Sequence, residues 1–174
     1  MEERFLSVHQ KYLPTVLLPH LLEHVFHVTT RAAYAGILTD GRIRPNQNGN
    51  FAFTFGQSES SYFRRRGCVS VFDFRGVNSE RLEEALLRYY FLNPSFTDNQ
   101  PVFLFLNTAC FERLVPWSRW KDEKAYGEMV IPYVEAGYPG DIPVSLIDGV
   151  LRVEVDKPVG PLEAAIRAAH DEVC

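Results

Sequence analysis

Several things are scarce in this chain of 174 residues, and each scarcity narrows its class. No apolar run approaches the roughly 18 residues that a membrane-crossing helix requires. The opening MEERFLSVHQ has neither the basic start nor the apolar stretch of a signal peptide, so a soluble cytoplasmic protein is expected. The three cysteines, Cys68, Cys110 and Cys174, are odd in number and widely spaced. That argues against a disulfide framework and a zinc site, and no metal is expected. Lys and Arg number 18 against 22 Asp and Glu, a net charge of -4. This excludes a protein that coats nucleic acid through its whole surface but leaves a local basic patch open. A Gly-rich phosphate loop of the P-loop or dinucleotide-fold kind is missing, as are repeats, low-complexity tracts and polar linkers. One domain over residues 1–174 is the expectation.

What is present is material for a core: 46% of the residues are hydrophobic and 13% aromatic. Pro14 to Val25 has apolar residues at helical spacing and leads into the extended stretch Phe26-His27-Val28-Thr29. Thr30 is placed to cap a helix over Arg31 to Thr39, and Gly41 to end it. After the Asn/Gly-rich loop 46–50, Phe51, Phe53 and Phe55 alternate with smaller residues, and Ser58 to Arg66 reads as a short polar helix. Cys68 to Phe74 is a strong strand. Ser79 to Phe91 is an amphipathic helix with Leu82, Leu86, Tyr89 and Tyr90 on one face. Val102 to Leu106, Met129 to Val134 and Val150 to Val155 read as strands, and Pro161 to Val173 as a terminal helix. Strands and helices without regular βαβ alternation predict an α+β class.

Three residues stand out chemically. Of five histidines only His27 lies within a strand followed by hydroxyls, Thr29 and Thr30. There one ring nitrogen can be fixed by the protein while the other meets a ligand hydroxyl, which suits a sugar. Glu135 stands where the apolar run Ile131-Pro-Tyr-Val134 meets the turn Ala-Gly-Tyr-Pro-Gly. A carboxylate at such a strand end can hold a ribose hydroxyl and stabilise an oxocarbenium-like transition state. Tyr62, in Ser58-Glu-Ser-Ser-Tyr62-Phe63, offers a flat ring to a planar ligand. Each has a plain alternative: a packed histidine, an exposed turn glutamate, a core tyrosine. A thiol nucleophile pairing Cys68 with His27 is disfavoured, because Cys68 opens a strand that reads as buried.

The succession HVTT, AYAGILTDGRIRP, SSYF before CVSVFDF, and VEAGYPGDIP resembles the ADP-ribosyltransferase superfamily in its His-Tyr-Glu, diphtheria-toxin and PARP-like branch, over about residues 24 to 155. FHVTTRAAYAGILTDGRIRP and VEAGYPGDIP are also similar to segments of the DarT-type enzymes that modify DNA bases. The resemblance implies a split β-sheet that binds NAD as co-substrate. It puts His27 on the adenosine-side ribose, the Val28 backbone and Thr29 near the nicotinamide amide, Tyr62 (with Tyr34 or Phe63 as substitutes) stacking on nicotinamide, and Glu135 on the nicotinamide ribose. It departs from the family at Val28, where a glycine is usual. The activity implied is mono-ADP-ribosyl transfer to a nucleic acid or protein, as in bacterial toxins, with an antitoxin as a further partner. An NAD glycohydrolase and a non-catalytic nucleotide-binding module are the alternatives.

Two arginine groups, Arg64, Arg65 and Arg66 beside Tyr62 and Arg31, Arg42 and Arg44 after His27, are candidates for pyrophosphate or a nucleic-acid acceptor, against the alternative of a solvated positive face. In CFERLVPWSRWK, Phe111, Trp117 and Trp120 interleave with Arg113, Arg119 and Lys121, a composition suited either to stacking a splayed base or to core packing.

Overall fold

The structure, a computed structural model, describes residues 1–51, 58–89 and 100–156. Phe53, Phe55, the end of the Ser79–Phe91 helix, the expected terminal helix over Pro161 to Val173, His170 and Cys174 lie outside the described residues.

Strand β1 (Glu2–His9) opens the chain. Phe5 stands on its exposed face and Arg4 in its inner row, which blurs the apolar alternation, so the sequence does not announce it. The helix expected over Pro14 to Val25 is cut short: α1 covers Leu13–Leu17, and Leu18–His20 forms a 3-10 turn around Pro19. Proline lacks the N–H a helix interior needs, and its ring crowds the carbonyl four residues back. Leu13, Leu17 and Leu21 are nonetheless fully buried. Strand β2 (Val25–Thr30) and helix α2 (Arg31–Asp40) follow, with the Thr30 side chain accepting from the Ala33 N–H and Gly41 closing the helix at φ 72°. Then come the short β3 (Arg42–Ile43), a 3-10 turn at Ser58–Ser60, α3 (Tyr62–Arg65), β4 (Cys68–Asp73) and α4 (Ser79–Tyr89). The single polar helix expected over Ser58 to Arg66 is thus two pieces. Ser61 interrupts them in an extended conformation and caps α3 through a 3.4 Å bond from the Arg64 N–H.

The last third supplies β5 (Pro101–Leu106), β6 (Val115–Pro116), α5 (Arg119–Asp122), β7 (Glu135–Pro139), β8 (Ile142–Pro143) and β9 (Ile147–Asp156). Met129 to Val134, expected as a strand, forms an isolated bridge from Met129 to Ser61 and then a turn with Tyr133 at φ 68°. The strand starts at Glu135, so that residue begins an element instead of ending one. Seven strands form one mixed sheet in the order β1-β9-β5-β2-β4-β7-β6, and β3 pairs with β8 apart from it. Among the described residues, only the β1–β9 pairing in the large sheet is parallel.

Strand alternation sends side chains to two cores. One face buries Phe26, Val28, Phe72, Phe103, Phe105, Leu151 and Val153 under α1 and the Leu82–Ala85 stripe of α4. The other buries Val25, Val69, Val71, Leu104, Tyr138 and Val150 under Tyr34 of α2, with Ile43 and Ile142. A third, smaller cluster joins Tyr62, Phe63, Cys68 and Val130, with Trp117 and Trp120 packed against it. Mixed helix and strand content on a large sheet agrees with the α+β expectation at this coarse level. Among the described residues no helix is long and apolar enough to cross a membrane.

Candidate functional site

β2 pairs with β5 from Phe26 to Thr30, and β4 with β7 from Cys68 to Phe72. Between them, β2 and β4 share only Val25↔Asp73 and Phe26↔Phe72. Past those pairs the two strands part in the middle of the sheet, and backbone groups that a ladder would satisfy need other partners. His27, the next residue, meets this need with its side chain: Nδ1 lies 2.9 Å from the Ser70 carbonyl oxygen. A carbonyl only accepts, so Nδ1 carries the hydrogen. Burial holds the imidazole pKa below its ordinary value, against a smaller opposing pull from the Ser70 carbonyl. The ring is therefore neutral near pH 7, and Nε2 is left with a lone pair for an incoming hydroxyl hydrogen.

Ser70 also works on its other side. Its hydroxyl donates to Glu135 Oε1 at 2.6 Å, and the Ile131 N–H donates to Oε2 at 2.7 Å. Glu135 sits opposite Phe72 in the β4–β7 register, so alternation puts Ser70, Phe72 and Glu135 on one face. A 3.1 Å bond from the Glu135 N–H to the Ile131 carbonyl closes the turn before the strand. The carboxyl group is on a residue only 7% exposed, and burial raises its pKa to about 7 even though the Ser70 and Ile131 bonds favour the anion. The result is a carboxylate poised near neutrality, oriented by two fixed donors, and joined through one serine to a neutral histidine. Buried charge held by preorganised dipoles is what stabilises a developing cation effectively.

The other expected site residues are placed as follows. Val28 packs in the first core and Thr29 is buried, both on the part of β2 that has left β4. Arg31 is exposed and donates to Gln100 at 3.3 Å. Arg44 pairs with Asp40 at 2.7 Å and Arg42 with Asp141 at 3.1 Å, all exposed. Tyr34 is buried in the second core, and its hydroxyl donates to Glu3 of β1 at 2.8 Å, two strands beyond β2's neighbour in the sheet order. Burial pushes that phenol up to about 12. Tyr34 therefore faces the sheet edge, not the parting strands.

Tyr62 is fully buried, with the Arg66 guanidinium 3.6 Å over its ring and Phe63 edge-on at 5.0 Å. Its hydroxyl lies beside the Glu123 carboxylate without making a hydrogen bond. Phe63 is buried as well, packed over Gly137. Neither ring is open to stack on a ligand in this arrangement. Arg66 is committed to Glu123 and Glu128, and Arg65 to Glu128. Arg64 donates to the Asn46 carbonyl at 2.5 Å.

Of the aromatic–basic segment, Trp117 meets Tyr133 edge-on at 4.7 Å and Trp120 donates to the Glu128 carbonyl at 3.0 Å. Lys121 lies over Trp117 and Arg75 over Phe111, while Arg113 bonds the Tyr138 hydroxyl and the Pro139 carbonyl. Packing accounts for these contacts. Cys68 is buried, and burial raises its thiol pKa, the opposite of what a nucleophile needs.

Sequence reasoning missed Ser70 and the Ile131 N–H. For Ser70 a signal existed: in CVSVFDF it is a hydroxyl at a position that alternation shares with Phe72 and Phe74, where an apolar residue is expected. The Ile131 N–H had none, since a backbone donor within a turn carries no side-chain signature. No protein-family model, no curated protein and no solved structure matches this chain.

Proposed function

We propose that the chain binds NAD where β2 and β4 part, breaks the nicotinamide–ribose bond, and passes ADP-ribose to a nucleic-acid or protein acceptor. The observation that carries this reading is the single residue Ser70 holding both His27 and Glu135, one by its carbonyl and one by its hydroxyl. A neutral histidine with a free acceptor nitrogen suits a ribose hydroxyl. A buried carboxylate with two donors suits the cationic sugar carbon that forms as nicotinamide leaves with the bonding electron pair. The acceptor then forms its bond to that carbon and releases a proton. Because nicotinamide leaves neutral, no acid is needed at the leaving group, and the work falls to orientation and charge stabilisation.

The parting sheet is also what the family resemblance leads one to expect, and at Val28 and Thr29 the β4-facing side of β2 has no ladder partner that an amide would have to displace. In this reading the His-Tyr-Glu trio becomes His27, Ser70 and Glu135, with Tyr62 acting through packing under Arg66. The test is labelled NAD incubated with the pure protein and separate pools of DNA, RNA and protein. Label entering one pool supports transfer, and label ending as free ADP-ribose makes the enzyme a hydrolase. Nucleotide binding with no nicotinamide release overturns the enzymatic reading.

A further inference from the structure

From the contacts around α3 we infer that Arg66 is a positioning residue for Glu135, acting through a latch that fixes the segment donating the Ile131 N–H. The inference rests on the reading of Glu135 as the cation-stabilising group.

The latch is built on the planar guanidinium fork. Arg66 reaches Glu123 at 2.7 Å, Glu128 at 2.5 Å and the Tyr62 carbonyl at 3.0 Å while its plane covers the Tyr62 ring. An ammonium cannot reproduce that set of directed bonds. Glu128 is held a second time, its carbonyl accepting from Trp120 Nε1. The next residue, Met129, is clamped to the same region by two 2.8 Å backbone bonds, its N–H to the Ser60 carbonyl and its carbonyl from the Tyr62 N–H. Val130 is buried in the third cluster. Ile131 then presents its N–H to Glu135. The far end of the turn is held separately, by the Asp73 N–H on the Val134 carbonyl at 2.7 Å. Besides its own Glu135–Ile131 backbone bond, the turn therefore has two outside anchors, and Arg66 governs the one on the donor side.

Losing the donor-side anchor removes one of the two hydrogen bonds to the carboxylate. The other groups around Glu135 leave no ready substitute. On β4 these are Ser70, already bonded, and the Asp73–Arg75 ion pair at 2.7 Å. On β2 it is His27, tied to Ser70, and β6 brings only Val115 and Pro116. The turn itself carries Tyr133 under Arg81 at 4.4 Å.

The experiment reads Glu135 protonation in the full chain without relying on catalysis. Unfolding is measured from pH 5 to 9 for each protein and for its Glu135→Gln partner, and the difference gives the Glu135 midpoint. Arg66→Met is expected to raise that midpoint by about one pH unit, the order of one hydrogen bond to a charged group. NAD consumption should fall about fivefold at pH 7 and recover by about pH 9, as a one-unit shift requires. Arg66→Lys should fall between. Alkaline recovery separates positioning from simple damage. A folded Arg66→Met with an unchanged midpoint overturns the inference. If that variant does not fold, Glu128→Gln decides by the same measurement. Absence of NAD consumption by the unaltered protein would sink the proposed function, while the titration would still decide the role of Arg66.

Discussion

The two seams of β2 share a strand and differ in kind. Toward β5 the ladder is continuous, and the residue facing His27 is Leu104, fully buried among aliphatic neighbours. Toward β4 the ladder stops after two pairs, and side-chain hydrogen bonds through Ser70 take over. One seam is closed and apolar, which suits stability. The other is interrupted and polar: it leaves a neutral histidine on the unpaired side of β2 and ties it through Ser70 of β4 to a poised carboxylate on β7, the next strand. Strength on one side lets the other remain unzipped: the chain tolerates an interrupted central pairing because the surrounding cores hold both halves.

Breaking the polar seam should have the largest effect. Glu135→Gln keeps the shape, and the amide can accept from the Ile131 N–H while donating to a rotated Ser70 hydroxyl. NAD turnover is expected to fall by about 100- to 1,000-fold in a protein that still folds, and near-normal turnover in the folded variant would remove Glu135 from the chemistry. The same pair of proteins tests the carboxyl pKa. With a folded value of about 7 against an ordinary 4.5, the native state holds a proton that the unfolded chain has lost between those pH values. Stability should therefore decline as pH rises through that window, by on the order of 3 kcal/mol in all. Glu135→Gln should lack this decline, which denaturation at pH 4.5 and 7.5 would reveal.

Breaking the apolar seam should cost stability alone. Leu104→Ala is expected to lose about 2–5 kcal/mol, read by denaturant unfolding, with the Glu135 midpoint unmoved. A shifted midpoint would mean the two seams are coupled. Next in size is Gly137→Ala, where a Cβ would fall 2.2 Å from Phe63 Cδ1 and 3.0 Å from Cys68 Cβ. Overpacking here should destabilise by about 1–3 kcal/mol in the same assay. Ser70→Ala sharpens the comparison further, because it deletes the hydroxyl bond to Glu135 and keeps the carbonyl that His27 uses. The Glu135 midpoint should rise by about one pH unit, and no rise would show that Ile131 alone sets the carboxylate. The smallest effect is predicted for Tyr62→Phe. Removing a buried hydroxyl that faces the Glu123 carboxylate outside good hydrogen-bond geometry should change stability by less than about 1 kcal/mol. A strong loss of turnover in that variant would return Tyr62 to the site.

How far the site could be read in advance depended on the range of the interactions that make it. Thr30 and Gly41 were legible as the two ends of α2, because capping and a left-handed stop are settled within a few residues. His27 and Glu135 were legible as exceptional residues on or beside strands. The strand expected over Met129 to Val134 was misread because an apolar run becomes a strand only with a partner in register. The register with β4 begins at Glu135, and Tyr133 at positive φ breaks the run before it. β1 escaped notice since its partner, β9, lies at the other end of the chain and exposed Phe5 and inward Arg4 blur its alternation. Tyr62 drew attention for its type and position, and burial under Arg66 changed its part.

By itself, then, the amino-acid sequence determined the two ends of α2, the apolar runs of β4 and β5, and the rare polar groups set among them, all through short-range propensity and periodicity. Only the tertiary structure decided that β2 and β4 separate after Phe26 and Phe72, that Ser70 meets His27 across that gap and Glu135 on the neighbouring β7, and that Glu135 is buried enough to titrate near neutrality. Each of these rests on groups from different strands brought together, and a pKa is a property of that assembled environment.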